Sequence, residues 1–156
     1  MAPATETHAA LQAEIGRRIA NHLIDKGGNC RLLSQPGIVP RIRSDRNFRI
    51  PDLGVTCAPP ADGLMVPDPI LLIEILSPRD EAQTRASIWA YTTIPTVQEI
   101  LAVNSTRIEA ELLRRGADGN WPGEPLTVTG ADALALLSIG FSAPLAGLYR
   151  TTALAS

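Results

Sequence analysis

The chain has 156 residues, 45% of them hydrophobic and 19% charged, and its net charge is −2. That length suits one domain, able to bury about two-thirds of its unfolded surface. The near-neutral balance excludes a uniformly basic, nucleic-acid-coating protein, and no apolar run approaches the length of a membrane span.

In chain order, Thr5 or Thr7 caps a first helix running to about Ile24, with Leu11, Ile15, Ile19 and Leu23 repeating every fourth residue along one stripe. The glycines at Gly27 and Gly28 stop it. Cys30–Leu33 and Ile38–Ile42 read as short strands around a Gln35-Pro36-Gly37 turn, and Ser44-Asp45-Arg46-Asn47 as a polar turn. Ile50–Cys57 reads as a further strand, in which Asp52, Gly54 and Thr56 share a face by the period of two. A Pro/Gly-rich loop over 58–68 then leads into Pro69–Pro78. There Ile70, Leu71, Leu72, Ile73, Ile75 and Leu76 form the apolar run of a central strand covered on both faces. A helix follows from about Arg79 to Tyr91, then a hairpin of Val97–Val103 with Ile108–Arg114, a loop over 116–125 and a short strand at Leu126–Val128. The stretch from Ala131 to Tyr149, broken by Gly140 and Pro144, reads as a short strand and a final helical turn. The order of helices and strands predicts a single α/β domain, with a central mixed sheet flanked by helices.

Two acids stand out. Glu74 interrupts the central strand where an apolar residue is expected, and an unpartnered buried charge costs several kcal/mol or forces protonation. Asp52 sits in Ile50-Pro51-Asp52-Leu53-Gly54-Val55. If their strands are neighbours, both side chains point into one cleft, where a cation between them relieves their repulsion. Oxygen ligands of this kind suit Mg²⁺ or Mn²⁺, and a metal so held activates water and stabilises charge on a phosphoryl group. Taken alone, Pro51-Asp52 is also an ordinary turn dipeptide, and Glu74 also suits pairing with an arginine. His8 lies either near this site or, more ordinarily, at the helix cap or surface. Trp89 and Tyr91 read as core, and Trp121 either stacks on a base or covers the core. Cys30 and Cys57 could make one disulfide, but nothing else looks secretory, and they read as two reduced, buried thiols. The first residues lack the basic-then-apolar pattern of a signal peptide, so the expected compartment is the cytoplasm. No Ser–His–Asp arrangement, phosphate-binding glycine loop or zinc spacing occurs.

Ile50-Pro51-Asp52-Leu53-Gly54-Val55, then Leu72-Ile73-Glu74-Ile75-Leu76-Ser77-Pro78, a helix ending in Tyr91 and the strand near Glu99-Ile100-Leu101-Ala102-Val103 resemble the Uma2 family. These are restriction-endonuclease-like proteins of the PD-(D/E)XK nuclease superfamily. The resemblance implies a metal-dependent DNA endonuclease hydrolysing phosphodiester bonds, with Mg²⁺ or Mn²⁺ held by Asp52, Glu74 and the carbonyl of Ile75. It also implies DNA as partner and a homodimer, since two sites cut two strands. The superfamily's catalytic lysine is not found: Leu76 stands two residues after Glu74, and Ser87 occupies the alternative position on the following helix. Gln83, or else Arg85, is the candidate substitute. The resemblance further implies that the chain lacks an N-terminal segment of the family. Without that lysine and segment, a catalytically inactive nuclease fold acting in nucleic-acid binding or dimerisation is the alternative. A two-carboxylate glycosidase fits the acids alone, but aromatic residues are only 4%, too few for a sugar-binding cleft.

Overall fold

The computed structural model describes residues 3–40 and 48–155. Helix α1 spans Glu6–Lys26; the Thr5 side chain accepts a hydrogen bond from the His8 N–H at one end, and Gly27, at φ 77°, ends it at the other. Six strands form the main sheet in chain order: β1 (Arg31–Ser34), β2 (Leu53–Thr56), β3 (Pro69–Leu76), β4 (Glu99–Asn104), β5 (Glu109–Arg114) and β6 (Leu126–Thr129). Helix α2 (Glu81–Tyr91) connects β3 to β4. That crossover makes β3–β4 the parallel pair, whereas every other pairing in the sheet is antiparallel. The mixed α/β sheet with flanking helices follows the predicted architecture.

Strand β3 divides the core by its period of two. Leu71, Ile73 and Ile75 face the cluster containing Leu11, Ile15, Ile19 and Leu23 of α1. Leu72 and Leu76 face the second cluster, with Ile88 and Tyr91 of α2. By the same alternation Glu74 stands on the α2 face. In β2, Leu53 and Val55 belong to the α1 cluster, which leaves Asp52 and Gly54 on the α2 side. The two acids therefore share a face for a reason that lies in sheet geometry.

Several expectations are corrected. The predicted strand at Ile50–Cys57 begins only at Leu53, because Pro51 has no N–H to give a ladder. Of the predicted strand Ile38–Ile42, Ile38 makes an isolated bridge to Arg49; its last two residues and the turn at Ser44–Asn47 lie outside the described residues. The stretch after Ala131 holds two strands, β7 (Ala133–Leu136) and β8 (Phe141–Pro144), paired as a separate hairpin and followed by a 3₁₀ turn at Leu145–Tyr149. Trp89, expected in the core, is 44% exposed, whereas Tyr91 is fully buried. Trp121 covers the second core cluster, with the Arg115 guanidinium 4.9 Å from its ring centre.

Cys30 and Cys57 form a disulfide, not two free thiols. Arg31 pairs with Thr56 in the β1–β2 register, so the next residues outward stand opposite each other. The thiols then no longer argue for a reducing compartment. Among the described residues, no helix is long and apolar enough to cross a membrane.

The ends of the fold are tied together. Buried Glu14 of α1 pairs with Arg17 one turn on and with Arg150 beyond the 3₁₀ turn. Next to that turn, the Tyr149 hydroxyl donates to the Asn104 carbonyl at 2.6 Å and lies 3.0 Å from the Glu109 carbonyl. Tyr149→Phe is expected to cost about 1–2 kcal/mol, because buried carbonyls lose their donor while the ring still fills its place. Urea denaturation with an unchanged m-value would measure it; a cost near zero would show those carbonyls satisfied otherwise.

Candidate active site

Asp52 is held from several sides. Its carbonyl accepts from the Gln35 N–H at 3.0 Å and from Gln12 Nε2 of α1 at 3.2 Å. Its own N–H donates to Glu74 Oε1 at 3.2 Å, and its Oδ2 accepts from the Ile75 N–H at 2.7 Å. Each acid is thus bonded to the backbone of the other acid's strand segment, an arrangement made possible by the pairing of Leu53 with Ile73. The second oxygen of Glu74, Oε2, accepts from the Tyr91 hydroxyl at 2.9 Å. Tyr91 is fully buried on the last turn of α2, so the helix acts as a fixed support for the carboxyl.

The electrostatics follow from this crowding. Glu74 is 7% exposed. Burial first, then the charge of Asp52, pushes its carboxyl up to about 8, against the donations from Tyr91 and the Asp52 N–H. Burial and the neighbouring Glu74 push the Tyr91 phenol far above its ordinary value, so it serves as a donor and not as a base.

The pair opens into a cleft of about 470 Å³, lined also by His8, Arg49, Asp80, Gln83 and Ser87. Gln83 and Ser87, one helical turn apart on α2, face it together. Arg85, the other candidate for the missing lysine, does not. Its guanidinium pairs with Glu81 at 3.0 Å and Glu111 at 2.7 Å, because two residues along a helix turns a side chain away from the face of Gln83. Leu76 is buried in the second core cluster, so the place two residues after Glu74 offers no polar group to the cleft.

His8 is the residue whose position the sequence left open, and it belongs to the site. The first turn of α1 brings its Nε2 to 3.5 Å from Asp52 Oδ2, with 14% of the side chain exposed. The hydrogen bond to Asp52 raises its pKa above the ordinary value, while burial opposes this. Its Nδ1 is buried without a hydrogen-bond partner among the described residues. Only its position at the start of the amphipathic helix, close to the cap, hinted at a role.

The donor set fits a hard divalent cation. Asp52 and Glu74 lie side by side, and no described residue pairs a cation with Glu74, whose carboxyl is pushed up by burial and then by the charge of Asp52. Asp52 Oδ1 accepts no hydrogen bond from the described residues. Among those residues, no three His, Cys, Asp or Glu side chains gather into a metal cluster, so the carboxylate pair, with backbone and solvent oxygens, is the donor set on offer.

The sequence model of a family described as "Uma2: Putative restriction endonuclease" matches residues 1–146. An uncharacterised protein of Synechocystis, slr1290, is 31% identical over 153 residues, spanning 96% of this chain and 78% of its own. Among solved structures, a protein of Anabaena variabilis described as a "putative nuclease belonging to DUF820" superposes with a TM-score of 0.76. It has 14% identity, over 96% of this chain and 83% of that one. At that identity the likeness shows the fold.

Proposed function

Because the chain belongs to the Uma2 family of restriction-endonuclease-like proteins, we propose that it is a metal-dependent DNA endonuclease. The observation that carries this reading is the paired hold of Asp52 and Glu74 at the mouth of one cleft, Glu74 accepting from the Asp52 N–H and Asp52 from the N–H of Ile75, the residue after Glu74. In phosphodiester hydrolysis the oxygen of a water forms the new bond to phosphorus and the bond to the leaving oxygen breaks. The water's proton passes to solvent, and the leaving oxygen takes up a proton in turn. Asp52 and Glu74, with the carbonyl of Ile75, would hold Mg²⁺ or Mn²⁺, which when bound polarises both water and phosphate. Tyr91 orients Glu74, and the Ile75 N–H orients Asp52. Gln83, which lines the cleft from α2, would stand in for the missing lysine by hydrogen-bonding the attacking water or a phosphate oxygen. A homodimer would present two such clefts to the two strands.

The second reading, a nuclease fold retained for binding alone, draws on Leu76 and Ser87 at the positions where the superfamily carries its lysine. Plasmid nicking with Mg²⁺ or Mn²⁺ separates the two. We expect metal-dependent nicking, reduced at least about 10²-fold in Glu74→Ala, as for loss of a group that organises transition-state charge. Absence of nicking by the folded wild type would select the binding reading. Equal nicking by both proteins would remove the site assignment.

A further inference from the structure

The acidic character of the cleft poses a problem for any anionic substrate. Asp52, Glu74 and Asp80 line it, and a phosphodiester entering there meets like charge unless cations offset it. Of the described side chains lining the cleft, Arg49 is the only lasting cation, His8 being charged only when protonated.

Its placement is built by the backbone. The Arg49 N–H donates to the Ile38 carbonyl at 2.7 Å, and its carbonyl accepts from the Ile38 N–H at 2.8 Å. Ile38 is itself 1% exposed and packed in the second core cluster. Pro51 keeps the preceding Ile50 extended, so alternation applies: Phe48 and Ile50 are 57% and 56% exposed, while Arg49 between them is half-buried. Its Nε is shielded from solvent and has no hydrogen-bond partner among the described residues. The side chain makes no ion pair with any described carboxylate, although three carboxylates line the same cleft. Its charge is nonetheless felt at Tyr91, where it opposes the rise of the phenol. An arginine fixed at its backbone, lining a cleft and with an orphaned Nε is a donor for which the described residues supply no acceptor.

We propose that Arg49 is the phosphate-binding cation of this cleft, donating hydrogen bonds to the non-bridging oxygens of the phosphodiester held beside Asp52 and Glu74. The planar guanidinium offers two parallel N–H donors to two such oxygens. The charge that the superfamily places two residues after Glu74 would thus come from three residues before Asp52. This assignment rests on the endonuclease reading for its substrate, and a binding measurement can fail independently of cleavage.

The test uses a short fluorescein-labelled DNA duplex in Ca²⁺, followed by anisotropy over a series of salt concentrations, with wild type, Arg49→Met and Arg49→Lys. Arg49→Met should weaken binding about tenfold and lower the slope of log affinity against log salt by about one, as for loss of one phosphate contact. Arg49→Lys should bind within about threefold of wild type, yet nick plasmid about tenfold more slowly, since a point charge replaces a two-pronged donor. A merely structural arginine would leave the salt slope unchanged. Should Arg49→Met fail to fold by near-ultraviolet circular dichroism, Arg49→Gln takes its place in the same measurement. Binding by Arg49→Met within twofold of wild type, at an unchanged slope, would overturn the proposal, as would a wild type that binds no duplex. Wild-type binding without nicking would sink the endonuclease reading while the Arg49 assignment stood on its salt slope.

Discussion

Glu74→Gln is expected to raise the melting temperature of the metal-free protein at pH 8 by roughly 10 °C, and to change it little at pH 4. The carboxyl is pushed up to about 8 in the fold, against about 4.3 in an unfolded chain. The folded state therefore binds the extra proton, and its stability is greatest below the unfolded value. Stability is then lost as pH rises from about 4 to about 8, where the carboxyl ionises beside Asp52. Integrated over that window the loss is about 4–5 kcal/mol, which for a chain of this size corresponds to roughly 10 °C. Glutamine keeps the shape of the neutral acid, can still accept from the Asp52 N–H and meet the Tyr91 hydroxyl, and cannot ionise. Thermal melts of both proteins in a chelator at pH 4, 6 and 8 would measure this. Parallel pH profiles would show that Glu74 is already ionised in the fold and that another cation compensates it.

Glu99→Ala is expected to destabilise the fold by about 3–5 kcal/mol, through a different imbalance. Glu99 opens β4 and is 1% exposed. Its carboxylate accepts from Arg114 Nε at 2.9 Å, from the Leu137 N–H at 3.2 Å and from the Ser138 N–H at 2.7 Å. Arg114, its cross-strand partner, also donates to the Ala135 carbonyl at 2.8 Å. One carboxylate therefore joins the main sheet to the turn of the β7–β8 hairpin. Alanine leaves a guanidinium and two N–H groups without their acceptor, and breaking a buried pair on one side costs more than the pair itself contributes. Glu99→Gln, which keeps an acceptor, should recover about half. Urea denaturation of the three proteins checks the order, and equal stability of the alanine variant would mean that water takes over all three donors.

What the sequence made legible is what alternates or repeats. The stripe Leu11, Ile15, Ile19 and Leu23 placed α1, and the apolar run of β3 placed the middle of the sheet and singled out Glu74. Asp52 was legible through the proline before it. The juxtaposition of the two acids required only that β2 and β3, joined by the single loop over 57–68, be neighbours. The disulfide was not legible, because it depends on the register of β1 against β2 across a segment without periodicity. Nor were His8 and Arg49: each reaches the cleft through the placement of a whole element, and no neighbouring residue pattern marks it. The β7–β8 hairpin escaped because its strands are four residues each and rich in alanine and leucine, which favour helices in isolation.

The contact of Glu14 with Arg150 spans 136 positions of sequence, and this separation orders events on the ribosome. Helix α1 emerges before every strand of the sheet, with an apolar stripe and a carboxylate that the finished fold buries. At roughly 5–20 residues per second, on the order of ten seconds pass before the residues that cover that end of the helix are synthesised. Strands β2 and β3 reach the apolar stripe earlier, but in that interval Glu14 lacks its Arg150 partner, so chaperone engagement during translation is the expected companion of this topology.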